Sequence, residues 1–89
     1  MRKQELTFAE FSELPLLYSM GVRYTHGAQR MYRNDQIGLQ VEVYTPFSER
    51  TMRWGRPDKS WFLDGDEREF STCDQAYVAY MERVCGVTA

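Results

Sequence analysis

Gly38-Leu39-Gln40-Val41-Glu42-Val43-Tyr44-Thr45-Pro46 is the stretch on which the fold turns. Leu39, Val41 and Val43 alternate with Gln40, Glu42 and Tyr44, the period of two expected of a strand with one dry and one wet face. Pro46 has no amide to give a ladder and is expected to end the strand.

Outward from this strand the pattern stays β-like on both sides. From Gly21 to Arg33, Val22, Tyr24 and His26 fall on one face and Arg23 and Thr25 on the other; Gly27 marks a bulge or bend, and Asn34-Asp35 a turn. On the other side, Met52 and Trp54 share a parity with Arg53 opposed to it, which predicts Trp54 as a packed residue. Gly55-Arg56-Pro57-Asp58 then reads as a turn and Ser60 to Leu63 as a further strand. Asp64-Gly65 is a hairpin signal, with Glu67 to Phe70 the returning arm. Trp61 and Phe62 are neighbours, so one of them must face away from the core.

The two ends of the chain read as helical. Thr7-Phe8-Ala9-Glu10 fits a capping box, Phe8, Phe11 and Leu14 make an apolar face, and Pro15 limits the helix to about two turns. Leu16 to Tyr18 reads as a packed connection or a strand start. A second helix opens at Ser71 or Thr72, where Asp74 favours the positive helix end. It carries an apolar stripe of Cys73, Ala76, Tyr77, Tyr80, Met81 and Val84, and closes at Gly86. The expectation is a single α+β domain over residues 1–89: an antiparallel sheet of three to five strands, a short N-terminal helix, and a C-terminal helix packed on one face, leaving the other face open. Double-stranded RNA-binding domains share this order of elements, but their basic helix start is replaced here by Ser71-Thr72-Cys73-Asp74.

Charge is unevenly spread. The formal net charge is −2, yet residues 22–59 carry seven cations against four anions, whereas residues 60–89 carry two against six. A basic middle and an acidic end orient a complementary partner, and the profile is unlike that of a dedicated DNA binder. Nine arginines against two lysines, together with six tyrosines, match the residue types enriched at protein interfaces.

Chemistry-bearing motifs are absent. The single histidine, His26, sits in a strand, and no serine lies in a nucleophile elbow. Cys73 falls on the apolar stripe, and Cys73 and Cys85, twelve residues apart on one helix, would stand about 18 Å apart, too far for a disulfide. Asp64, Asp66, Glu67 and Glu69 span too short a run for a calcium loop, and no glycine-rich phosphate loop occurs. The sequence therefore points to no catalytic residue, no cofactor, no metal and no small-molecule substrate. Two unpaired thiols, and no apolar run of signal-peptide or membrane-spanning length, point to a cytoplasmic protein without membrane association.

The expected function is that of a small interaction protein, binding a macromolecular partner, a protein, through Arg23, Arg30, Arg33, Tyr44, Arg53, Arg56 and one of Trp61 or Phe62, with Trp61 the first choice. Its size fits action by occlusion, as small phage or mobile-element inhibitors act, and a homodimer through the open sheet face is a variant. The alternative is a single-stranded nucleic-acid binder, in which Trp54, Trp61 and Tyr44 stack bases while Arg53, Arg56 and Lys59 take phosphates.

Overall fold

The computed structural model describes residues 5–86; Arg2 and Lys3, the two cations that could open a signal peptide but are followed by no apolar run, lie outside them. In chain order the elements are α1 (Phe8–Ser12), β1 (Leu17–Tyr24), β2 (Gly27–Asn34), β3 (Leu39–Ser48), β4 (Arg53–Trp54), β5 (Asp58–Leu63) and α2 (Cys73–Cys85). The sheet is antiparallel throughout, in the order β1-β2-β3, with β5 and β4 sharing the far side of β3. This is the α+β architecture expected from the sequence.

Both helices carry the caps that their sequences announce. At α1 the Thr7 hydroxyl accepts from the Glu10 amide at 3.2 Å, and the Glu10 carboxylate accepts from the Thr7 amide at 2.9 Å. At α2 the Thr72 hydroxyl accepts from the Gln75 amide, and Gly86 closes the helix in the left-handed conformation.

The core gathers at one end of an elongated molecule of 49 × 24 × 23 Å. Leu39 and Val41 of β3, Leu63 of β5, Phe70, Phe11 of α1, and Ala76, Ala79 and Tyr80 of α2 are buried together. Phe11 links the two helices through edge and tilted contacts with Tyr77 and Tyr80 at 5.4 and 5.5 Å. Asn34 is buried with both ends of its amide satisfied, donating to the Pro15 carbonyl and accepting from the Gln36 amide. Phe70 exchanges two backbone hydrogen bonds with Trp61, so the returning arm after Asp64-Gly65 reduces to a single bridge over half of the β5 edge.

Three expectations need correction. The run from Gly21 to Arg33 is two strands: the chain turns at Thr25-His26, and Gly27 starts the return instead of marking a bulge. A Cβ at Gly27 would fall 2.5 Å from the Tyr44 hydroxyl and 2.7 Å from the Thr45 carbonyl, so this close approach, and not a bend, requires glycine. Pro46 does not end β3, which runs on to Ser48. Proline is tolerated because the chain needs only its carbonyl, which accepts from the Gly55 amide at 2.7 Å. Met52 and Trp54 do not share a strand face, because Met52 lies in the connecting turn with φ +57°, which breaks the alternation.

Candidate interaction surface

Directly opposed residues of an antiparallel sheet share a face, so the pairing register assigns each side chain. Leu39 and Val41 point at α2; their face continues through Val43 to Thr45 and Phe47 along β3. Across the sheet it takes in Tyr32, Arg30 and Ala28 of β2, Tyr18, Gly21 and Arg23 of β1, Lys59 and Trp61 of β5, and Trp54 opposite Phe47. The helix covers only the core end of this face, and the far half is uncovered.

On that uncovered half, Arg23, Arg30 and Lys59 are exposed, and the register sets no acidic residue among them. Among the described residues none of the three makes a salt bridge or a side-chain hydrogen bond; the ion pairs lie at Arg33 and Arg68, toward the core end. Trp54, 52% exposed, leans on Phe47 at 4.9 Å and, with Arg23, Tyr24 and Thr25, lines a hollow of about 260 Å³ beside the hairpin turn. The expectation that Trp54 packs in the core is thus overturned: its strand extends beyond the reach of α2.

The opposite face is occupied with itself. Gln29 and Gln40 each donate to the Glu42 carboxylate, at 2.7 and 2.8 Å. Arg33 donates to Gln40 at 3.0 Å and grips Asp64 through two hydrogen bonds of 3.2 and 2.7 Å, while its Nε donates to Asp35. Tyr44 donates to the His26 carbonyl at 3.0 Å and meets the His26 Nδ1 at 2.8 Å.

The seven residues singled out from the sequence therefore separate. Arg23 and Arg30 come together on the uncovered basic half. Arg33 and Tyr44 lie on the opposite face, held in the contacts just described. Arg53, opposite Ser48, points away from Trp54, and Arg56 is exposed in the segment that follows. Trp61 is half-buried against the core on the helix side, so Phe62 is the one of the pair that faces away. Lys59 and Trp54, weighed from the sequence only as nucleic-acid contacts, and Phe47, which no sequence signal marked, complete the surface once the register and the extent of α2 are known.

Electrostatics divides the molecule lengthwise. The core end carries Glu10, Glu13, Asp35, Asp64, Asp66, Glu67, Glu69, Asp74 and Glu82; its arginines 33 and 68 are paired, and Arg83 of α2 acts on Asp64 and Asp66 through space. The Arg33 guanidinium holds the Asp64 carboxyl below the usual carboxylate range, and hydrogen bonds from the Arg68 side chain and amide hold Asp66 down at about 2. Burial, with Asp74 adding to it, pushes the Cys73 thiol up, which disfavours the thiolate. Among the described residues no group of histidine, cysteine and carboxylate side chains is arranged to hold a metal ion, and no helix is long and apolar enough to cross a membrane.

The depressed carboxyls predict an acid-sensitive fold. The native state binds fewer protons than the unfolded chain, whose aspartates titrate near 3.8. This contribution to stability is complete above that value and drains away as pH falls through about 2. Denaturant midpoints should decline over that window, and Asp66→Asn should flatten the decline; an unchanged slope in that variant would show that Asp66 contributes nothing.

No family model, curated protein or solved structure matches the chain.

Proposed function

We propose that this protein is a non-catalytic binding protein that docks an acidic surface of a protein partner on the uncovered basic half of its sheet and acts by occluding it. The observation that carries this reading is the cluster of Arg23, Arg30 and Lys59, which make no salt bridge or side-chain hydrogen bond among the described residues, beside the half-exposed Trp54. Arginine and tryptophan are the side chains that dominate interface energetics, and unpaired guanidinium groups suit bidentate capture of carboxylates. The acidic core end orients the approach of such a partner and repels a polyanion that tracks along the molecule, which favours a compact acidic patch over a nucleic-acid strand.

A photo-crosslinking side chain placed at Arg30, compared with one at Gln40 on the opposite face, tests this directly in cell extract. The expected adduct forms from position 30 alone, is destroyed by protease and resists nuclease. A nuclease-sensitive adduct would replace the reading with a single-stranded nucleic-acid binder. Equal capture from both positions would remove the surface altogether.

A further inference from the structure

β1 is an open edge: all eight of its residues are exposed. Alternate residues of an edge strand aim their N–H and C=O groups away from the sheet, so a row of backbone donors and acceptors faces outward. Protected edges carry lysines, prolines, bulges or inward charges; β1 has no lysine and no proline, and its one charge, Arg23, lies on the uncovered half of the helix side. Its one irregularity falls between Tyr18 and Met20, which leaves Met20 to Tyr24 in regular pairing with β2. On the face away from α2 this stretch presents Met20, Val22 and Tyr24, at 48, 36 and 43% exposure.

We propose that a second copy of the chain pairs antiparallel with Met20–Tyr24, about a two-fold axis through Val22. Around that residue the stretch is complementary to itself. Val22 meets the second copy's Val22, Met20 lies opposite Tyr24 where sulfur can rest on the ring, and Arg23 lies opposite Gly21. No like charges oppose one another. Neighbouring registers fail for stated reasons. A slip of one residue sets outward-facing side chains against inward-facing ones. An axis at Arg23 opposes two guanidinium groups, and an axis at Gly21 carries Tyr24 across the irregularity at Tyr18/Met20.

The pair would fuse two sheets into one, with the hairpin turns pointing in opposite directions and both helices on the same side. The two basic halves then lie side by side. Added salt therefore strengthens this association by screening Arg23 and Arg30, whereas it weakens capture of an acidic surface, so the two readings fail separately.

Cysteine scanning in a Cys73→Ala, Cys85→Ser background reads the register. Opposed Cα atoms lie about 4.5–5.5 Å apart, within reach of a disulfide. Val22→Cys is expected to oxidise to a covalent dimer. Met20→Cys and Tyr24→Cys alone are expected to form no disulfide but to cross-link when mixed. In parallel, Val22→Lys and Val22→Glu should each weaken the dimer about tenfold in sedimentation equilibrium, and an equimolar mixture of the two should restore it. A wild-type chain that sediments as a monomer at high concentration overturns the proposal. So do self-cross-linking of Met20→Cys as readily as Val22→Cys, and a Val22→Lys chain that dimerises undiminished.

Discussion

Replacing Phe11 with alanine should leave the protein largely unfolded at room temperature. The ring is 2% exposed and is the contact through which α1 closes the core, lying against both Tyr77 and Tyr80. Deleting a buried phenylalanine side chain costs about 3–5 kcal/mol, because transfer and cavity terms add. A domain of this size has roughly 4–13 kcal/mol in hand, with small chains toward the low end. Phe8 is the internal control: on the same short helix it also touches Tyr77, at 5.5 Å, but it is 43% exposed, so its alanine variant should lose only about 1 kcal/mol. Guanidinium midpoints of the two variants measure the difference. Two equally mild losses would mean that α1 does not seal the core.

Reversing the charge of Arg23 and Arg30 together should abolish docking while leaving the fold intact. Among the described residues neither side chain makes an ion pair, so Arg23→Glu with Arg30→Glu should move the denaturation midpoint little. Affinity for the protein captured at position 30 should fall about 100-fold, or roughly 2.7 kcal/mol, and the wild-type affinity itself should decline with salt. Arg53→Glu carries the same charge change on a residue turned away from Trp54, and should lose no more than about threefold. Matching losses from the double and single variants would show that net charge, and not this surface, governs binding.

What could be read from the sequence was whatever repeats locally. The alternation from Leu39 to Tyr44 placed β3 and its buried face correctly, and Thr7, Thr72 and Gly86 announced their helix ends. Non-local consequences were hidden. A two-residue turn at Thr25-His26 has none of the usual glycine or asparagine at its centre, so two strands looked like one bent strand. The position of Trp54 depended on where α2 stops covering the sheet, which no pattern around residue 54 encodes. For the candidate surface the outcome is mixed for the same reason. Arg23 and Arg30 are visible in the sequence as strand cations; that they make no ion pair among the described residues emerges only from the fold. That Arg33 is spoken for by Asp64 follows from a contact across thirty-one positions, which only the folded chain reveals.

The single bridge between Trp61 and Phe70 has a wider consequence. A naked strand on one flank of a sheet invites endless stacking, copy upon copy, if the other flank is equally bare. Here the far flank is short and partly covered: β5 is half capped by Phe70, and β4 is two residues long. Growth from β1 can therefore proceed once and then stop, so the molecule can have a sticky side without seeding fibrils.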